Sequence, residues 1–222
     1  MTMRYAVLGT GMVGQALARK LRALGHEVAM GARAPDNEKA AGFAAETGGL
    51  AMDFAAAAGF GDMVINATSG AHALDALHQA GAENLTGKVL VDISNPLDFS
   101  VKPPVLSVVN TDSLGETVQR TFPGSRVVKT LCTVNANVMV DPARLPGEHV
   151  IFLSGDDADA KAQTRAMLEA FGWRQIIDLG GIDSARAQEM MLPMWLRVWG
   201  ALGTLDFNWV LTRRPDQDSA KR

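Results

Sequence analysis

The chain has very little cysteine, since Cys132 is the only one in 222 residues. An internal disulfide is therefore impossible, and its absence is typical of a reducing compartment. From Met1 the sequence passes directly into the strand-like segment 4–9, without a long apolar segment or a cleavage signal before it. We therefore expect a cytoplasmic protein that is not exported.

An excess of charge of either sign is also absent. Lys and Arg total 21 against 24 Asp and Glu, the formal net charge is −3, and no Lys/Arg block stands out. Nucleic acids and anionic membranes attract basic chains, so we expect neither as the main partner. The 4 histidines and the single cysteine have no metal-ligand spacing, so no metal site is predicted.

One long apolar segment, 190–211, requires a separate test as a membrane span. Pro193, Arg197 and Asp206 lie well inside it. Because charges at bilayer depth are costly, the sequence favours a buried helix in a core or in a subunit interface.

Short apolar runs alternate with helix-type runs over the first two-thirds of the chain. This alternation predicts an α/β fold with a mainly parallel sheet that is covered by helices on both faces. The predicted strands are 4–9, 27–31, 62–68, 88–94, 126–131, 149–155 and 174–180. The predicted helices are 12–24, 37–47, 53–58, 71–80, 112–122 and 157–172.

From about residue 184 the pattern is helical only. We therefore expect a sheet domain over 1–180 and a helical C-terminal region over 181–222, with a disordered tail from about 213. The second part is too short for a core of its own and must dock on the sheet domain or on another subunit. The proline-containing segment 95–110 is predicted to be a long loop at the carboxyl end of a strand, where such folds bind ligands.

A glycine-rich loop, "GTGMVG" at residues 9–14, fits the pattern G-x-G-x-x-G. It follows a predicted strand and opens a predicted helix, which is the context of a dinucleotide site. Gly9 allows the tight turn, Gly11 lets a pyrophosphate approach the backbone, and Gly14 lets the helix pack close to the strand. The helix N–H groups expected to face the phosphates are those of Met12 and Val13. A glycine-rich turn that binds nothing is the alternative.

The end of the second predicted strand lacks the carboxylate that holds the ribose in an NAD site. The chain has Gly31, Ala32 and Arg33 there. Ala32 leaves room for a 2′-phosphate, Arg33 offers it a forked pair of N–H donors, and Thr10 can add a hydroxyl. These residues predict NADP(H) as the cofactor. A surface arginine beside an NAD site without its usual acid is the alternative.

Polar residues follow the third predicted strand. Thr68 and Ser69 end this strand, so we expect them at the carboxyl edge of the sheet, beside the cofactor. His72 opens the next helix, where it contacts the nicotinamide side or the electron partner, or has only a capping or surface role.

The fourth predicted strand and the single cysteine supply the remaining candidates. Asn95 forms a rigid turn with Pro96, and Asp92 is expected to be structural. Cys132 has no evident activating base, which favours a buried thiol over a nucleophile. We assign no catalytic step to these residues. Hydride transfer between two conjugated rings requires alignment and exclusion of water more than proton transfer.

Five segments carry a resemblance to a known family: 7–33, 92–99, 110–142, 153–161 and 178–202. With these segments the chain resembles the NADP-dependent oxidoreductases similar to NADPH:coenzyme F420 oxidoreductase, which are of the pyrroline-5-carboxylate reductase-like type. The segment 110–142 is the most specific, because a general nucleotide-binding fold does not require it. The N-terminal arrangement also resembles the oxidoreductase domain of the six-transmembrane metalloreductases, although we expect no membrane domain here.

The resemblance implies a Rossmann-type, doubly wound domain with a short helical C-terminal region that forms a homodimer. It implies that NADPH lies along the glycine loop, with Arg33 on its 2′-phosphate. The nicotinamide would then lie near Thr68, Ser69 and Asn95.

The resemblance also implies a second redox partner, a deazaflavin such as coenzyme F420 or a flavin. Its flat ring would stack in a cleft lined by 95–98 and 132–137. Cys132 departs from the family pattern, since relatives commonly have Asn at this position, and the choice of partner can differ for that reason.

The predicted function is therefore hydride transfer between NADPH and a small-molecule acceptor. Two other functions fit the residues. One is a redox-sensing module that binds NADP(H) without turnover and acts through its apolar C-terminal surface. The other is the reduction of a small imine or keto substrate.

Overall fold

A computed structural model describes residues 2–214, so the predicted tail falls outside the described residues from 215 onward. The strands are β1 Arg4–Leu8, β2 Glu27–Ala32, β3 Leu50–Asp53, β4 Met63–Asn66, β5 Val89–Asp92, β6 Leu97–Asp98, β7 Val105–Leu106, β8 Arg126–Thr130, β9 Val150–Ser154 and β10 Gln175–Asp178. The helices are α1 Met12–Ala23, α2 Glu38–Thr47, α3 Phe54–Phe60, α4 Ala73–Ala80, α5 Ala82–Leu85, α6 Leu114–Thr121, α7 Ala136–Val140, α8 Ala158–Phe171, α9 Ala185–Met190 and α10 Leu192–Leu202.

Eight of these strands, counted over residues 2–214, form one sheet in the order β10-β9-β8-β5-β4-β1-β2-β3. The neighbours from β8 to β3 pair in parallel. The chain winds outward in both directions from β1, so the sheet has a topological switch point between β1 and β4. In such sheets ligands bind outside the carboxyl ends of the strands at this point. The predicted α/β fold with a mainly parallel, doubly wound sheet is confirmed.

The parallel arrangement inferred from the alternating pattern ends at β8. β9 runs antiparallel to β8 through the pairs Lys129↔Ser154 and Thr130↔Leu153, and β10 is parallel to β9. A parallel return requires a crossover connection, usually a helix that spans the sheet. The connection between β8 and β9 instead contains the five-residue helix α7, so the chain re-enters the sheet in the opposite direction.

Three short strands, β3, β6 and β7, and the short helices α5 and α7 were not predicted from the sequence. β3 is a four-residue edge strand whose Leu50 is 40% exposed, and its three apolar residues are too few to indicate a strand. Within the predicted loop 95–110, β6 and β7 pair antiparallel and form a small ribbon. The ribbon holds this loop close to the carboxyl edge of the sheet.

Buried apolar clusters lie on both faces of the sheet. Tyr5 and Val7 of β1 belong to one cluster, which α1, α2, α7 and α8 cover. Ala6 and Leu8 belong to the other, which α3, α4 and α6 cover. Because alternate residues of one strand point to opposite faces, this division confirms a sheet covered on both sides.

The two helices after β10 differ in their burial. α9 buries Ala185, Gln188 and Glu189, and it packs against α6 and β9. α10 buries Leu192, whereas Trp199 and Leu202 on it are exposed. The described residues contain no helix that is long and apolar enough to cross a membrane. Besides α9, the segment after α10 also contacts the sheet: the N–H of Val150 donates to the carbonyl oxygen of Trp209 at 3.0 Å, and Nδ2 of Asn208 donates to the carbonyl oxygen of Val150 at 2.9 Å.

Candidate functional site

The glycine loop connects β1 to α1 in a turn that larger residues would disrupt. Gly9 has a φ angle of 116°, and a Cβ there would lie 2.6 Å from the carbonyl oxygen of Ala67. A Cβ on Gly14 would lie 2.0 Å from the carbonyl oxygen of Gly9. In contrast, a Cβ on Gly11 would meet nothing within 4 Å. The loop is therefore tightly packed on its inner side and open at Gly11.

The N-terminus of α1 can bind an anion. Gly11 is the N-cap, no side chain caps the helix, and the first turn contains no acidic residue. The N–H groups of the first turn, including those of Met12 and Val13, have no intrahelical partner, and they carry the positive end of the helix dipole. A pyrophosphate beside Gly11 fits these donors.

A first cleft, of about 310 Å³, extends from the glycine loop to the end of β2. Ala32 is buried and Arg33 is exposed at its rim. The carboxylate of Asp53, which pairs with Ala32 in the sheet, accepts a hydrogen bond from the N–H of Ala56 at 2.7 Å. It thus caps α3 instead of binding a ribose. The ion pairs within residues 2–214 do not involve Arg33.

A second cleft, of about 190 Å³, continues from the first. Both clefts include Ala67, Thr68 and Ser69, so they form one groove along the carboxyl edge of the sheet. A Cβ on Gly70 would lie 1.9 Å from the carbonyl oxygen of Asn95, which shows how closely the turn after β4 and the loop after β5 are packed. The additional lining residues of the second cleft are Val13, Ile93, Ser94, Asn95, Leu97 and Phe99.

The structure brings most of the predicted site residues together in this groove. His72 lines the first cleft and not the second. Asn95 lines the second cleft, where its Nδ2 donates to the carbonyl oxygen of Cys132 at 3.1 Å. Its buried Oδ1 has no hydrogen-bond partner among the described residues. The predicted cofactor residues along the groove are Gly9, Thr10, Gly11, Ala32, Arg33, Thr68 and Ser69 in the first cleft, and Val13, Thr68, Ser69 and Asn95 in the second.

Residues 132–137 do not line the groove, which corrects the cleft expected from the resemblance. After β8 the chain turns inward and buries 131–135, and Cys132 is 2% exposed. Burial raises the pKa of the Cys132 thiol to about 12, although the nearby Lys129 acts in the opposite direction. The thiol is therefore neutral at physiological pH, as expected of a buried thiol and not of a nucleophile.

The burial of Cys132 leads to a testable expectation. In the native protein the thiol should be almost unreactive, with no more than about a tenth of a thiol per chain modified within minutes at pH 8, because the thiolate is the reactive form. Titration with 5,5′-dithiobis(2-nitrobenzoate) measures this, and the same protein in guanidinium chloride should give one thiol per chain. Rapid and complete reaction of the folded protein would contradict the placement of Cys132.

A fully buried ion cluster lies beneath the groove. The Nζ atom of Lys129 is 2.7 Å from Oδ2 of Asp92 and 2.8 Å from Oε1 of Glu189, and all three side chains are at most 1% exposed. Burial alone would lower the pKa of Lys129, but the attraction of the two carboxylates outweighs it and raises this pKa above its ordinary value. Lys129 is therefore charged at physiological pH.

Glu189 also binds the start of α6. Its carboxylate accepts hydrogen bonds from the backbone N–H groups of Leu114 at 2.8 Å and Gly115 at 3.0 Å. Sequence reasoning treated Asp92 as structural and missed Lys129 and Glu189. The available signal was a lysine inside the apolar strand "RVVKTL", but its partner lies 60 residues further along the chain.

The described residues contain no cluster of three or more His, Cys, Asp or Glu side chains that could hold a metal ion. The groove offers the N–H groups at the start of α1, the guanidinium group of Arg33 and several hydroxyls. Such groups bind and orient a phosphate-bearing ligand. The lining of the groove also includes amides, the imidazole of His72 and the carboxylate of Asp75.

Comparison with known proteins supports an oxidoreductase assignment. The family model described as "NADP oxidoreductase coenzyme F420-dependent" matches residues 4–96, which include the glycine loop, Arg33, Thr68 and Asn95. A crystal structure described as a candidate F420-dependent NADP reductase from Arthrobacter sp. FB24 is 51% identical, with a TM-score of 0.91. The alignment covers 95% of this chain and all of that one.

Two further similarities are more distant. Metalloreductase STEAP3 of Rattus norvegicus is 30% identical over 118 residues, which is 51% of this chain and 22% of that protein. The chain therefore matches only about a fifth of the length of this curated relative. A reductive aminase from Aspergillus terreus, in complex with NADPH, has a TM-score of 0.65 at 17% identity, with 90% of this chain and 63% of that one covered. This last similarity shows the fold alone.

Proposed function

The chain belongs to the family of coenzyme F420-dependent NADP oxidoreductases, and from this premise we propose that it transfers a hydride between NADP(H) and a flat redox acceptor, coenzyme F420 or a flavin. The observation that carries the proposal is the continuous groove along the switch point of the sheet. One end of this groove has Arg33, its middle has the open face at Gly11, and its other end has Asn95.

The residues of the groove fit the parts of NADP(H). Arg33 donates to the 2′-phosphate, and the α1 N-terminus at Gly11 accommodates the pyrophosphate. Thr68, Ser69 and Asn95 then hold the nicotinamide end. When bound, the nicotinamide supplies the hydride chemistry, while the protein supplies binding and orientation.

The acceptor occupies the open side of the second cleft in this proposal. Leu97 and Phe99 offer apolar surface there, and Phe99 is 68% exposed. Phe99 also lines a larger apolar cavity of about 650 Å³ between residues 99–109 and α10. A flat conjugated ring fits such surfaces, and its stacking against them excludes water from the transfer.

An acceptor panel tests the proposed function. The purified protein should oxidise NADPH with coenzyme F420 or a flavin and should be much slower with NADH at the same concentration. The loss of nicotinamide absorbance measures the reaction, and quinones, ferric chelates, small imines and ketones complete the panel. Binding of NADPH without turnover of any acceptor would contradict the proposed hydride transfer and would favour the redox-sensing module.

We also infer that the protein is a homodimer through its C-terminal helices. The side chains of Met194, Trp199 and Leu202 on α10 are exposed, and so are apolar side chains within 205–211. Apolar patches of this kind mark interaction surfaces, and a second copy is the partner that the resemblance implies. Sedimentation equilibrium measures the mass, and a monomer at all concentrations would contradict the dimer. A mass that changes only on nucleotide addition, without turnover, would favour the redox-sensing module.

We also propose that the protein is cytoplasmic.

A further inference from the structure

A chain of hydrogen bonds connects the buried ion cluster to the middle of the groove. Nζ of Lys129 lies 2.7 Å from Oδ2 of Asp92. Oδ1 of Asp92 lies 2.8 Å from Nδ2 of Asn66, and Oδ1 of Asn66 lies 2.6 Å from the hydroxyl oxygen of Thr68. Lys129, Asp92 and Asn66 are fully buried, whereas Thr68 lines both clefts. These hydrogen bonds thus connect a buried cation to a side chain at the ligand site.

The charges at the buried end determine the direction of every bond in this chain. An ammonium group only donates, so Oδ2 of Asp92 accepts from Lys129, and Oδ1 accepts from the backbone N–H and the hydroxyl of Ser94. Asn66 must therefore present its NH₂ group to Asp92 and its carbonyl oxygen to Thr68. This carbonyl oxygen accepts the single hydroxyl proton of Thr68, which leaves that hydroxyl with only lone pairs for a ligand.

Two further hydrogen bonds, one to Asp92 and one to Asn66, support this orientation of the Asn66 amide. Oδ1 of Asp92 also accepts from the hydroxyl of Ser94 at 2.7 Å, and Oδ1 of Asn66 also accepts from the backbone N–H of Thr68 at 3.3 Å. A flipped Asn66 amide would direct an NH₂ group at this N–H and a carbonyl oxygen at the carboxylate. Both contacts would be repulsive, so the flipped orientation is strongly disfavoured.

We propose that Asp92 and Lys129 are positioning residues that lock the Thr68 hydroxyl as a hydrogen-bond acceptor for the carboxamide NH₂ group of the nicotinamide. The inference rests on the proposed function for the identity of the ligand. A hydrogen-bond acceptor at Thr68 disfavours the binding of phosphate oxygens, because these also offer only lone pairs. It favours the end of the cofactor that brings an N–H donor, and so it distinguishes the nicotinamide end of the groove from the phosphate end.

Two variants of Thr68, one that removes the hydroxyl and one that keeps it, test its role as a hydrogen-bond acceptor through binding alone. Thr68→Val should weaken NADP⁺ binding about fivefold, the value of one neutral hydrogen bond. It should leave the affinity for the 3-acetylpyridine analogue, which has a methyl group in place of the NH₂ group, within about twofold. Thr68→Ser keeps the hydroxyl and should retain the parent affinities. Isothermal titration calorimetry gives the dissociation constants, and the thionicotinamide analogue, which keeps the NH₂ group, should behave like NADP⁺.

Asp92→Asn tests the positioning role. The amide can donate as well as accept, so Asn66 and Thr68 are no longer restricted to one orientation. The preference for NADP⁺ over the 3-acetylpyridine analogue should then decrease about threefold or more. The preference for NADP⁺ over NAD⁺, which depends on Arg33, should not change. If Asp92→Asn does not fold, as judged by circular dichroism, the Thr68 pair still decides on the acceptor role.

The outcomes separate this inference from the proposed function. Equal losses for NADP⁺ and the acetylpyridine analogue in Thr68→Val would overturn the inference, since the carboxamide would not be the partner. An unchanged preference in a folded Asp92→Asn protein would overturn the positioning role. Neither result depends on the redox partner that receives the hydride. A parent protein that does not bind NADP⁺ would instead refute the proposed function.

Discussion

Lys129→Met should lower the free energy of unfolding by about 3–5 kcal/mol, the usual cost of removing one partner from a buried ion cluster. The substitution leaves the carboxylates of Asp92 and Glu189 facing each other across a site that is closed to water. Urea denaturation followed by circular dichroism measures the change. A loss below about 1 kcal/mol would contradict the cluster as described.

The exposed ion pair between Arg4 and Asp62 offers a matched control. These side chains are 52% and 44% exposed, so Arg4→Met should lower the free energy of unfolding by less than about 1 kcal/mol.

The pKa of Lys129 is higher in the folded protein than its ordinary value of 10.5. Its stabilising contribution is therefore fully present below about pH 10.5 and decreases only as the pH rises through the folded-state pKa.

Arg33→Ala should weaken NADPH binding roughly tenfold or more, since a forked contact of an arginine with a phosphate contributes on the order of 1.5–3 kcal/mol. NADH has no 2′-phosphate, so its affinity should hardly change. Fluorescence of the bound dihydronicotinamide measures both dissociation constants. Because β2 ends without the carboxylate of an NAD site, nothing there repels a 2′-phosphate, and Arg33 is the side chain expected to bind it.

Arg174→Ala is the control for the loss of an exposed positive charge. Arg174 is also exposed, but it lies just before β10, outside the lining of both clefts. This variant should bind NADPH as the parent protein does. Similar losses of NADPH and NADH affinity in Arg33→Ala would show that Arg33 does not distinguish the phosphate.

The sequence was sufficient for the parts of the fold that depend on local patterns. The glycine spacing identified the turn from β1 to α1, because the positive φ angle of Gly9 and the contact of Gly14 with the carbonyl oxygen of Gly9 both belong to this short segment. The predicted strand 62–68 extended beyond the observed β4, since Ala67 and Thr68 continue the pattern but leave the sheet to line the groove. Local propensity does not record that change of direction.

The features that sequence reasoning missed depend on distant parts of the chain. The direction of β9 depends on how residues 131–149 fold back around α7, and the edge strand β3 is too short to be recognised. The charge on Lys129 is compatible with a buried strand because Asp92 of β5 and Glu189 of α9 both pair with it. Such pairings arise from tertiary packing, which periodicity within a segment does not reveal.

The double role of Glu189 has an evolutionary consequence. One carboxylate neutralises a lysine of the sheet and caps the helix α6, and Asp92 pairs with the same lysine. Lys129 therefore cannot change alone without leaving two buried carboxylates without a counter-charge. The three positions should vary together among homologous proteins, with apolar or neutral residues replacing the charged cluster as a unit. The helical C-terminal region is consequently inherited together with β8 and cannot be exchanged between relatives as an independent module.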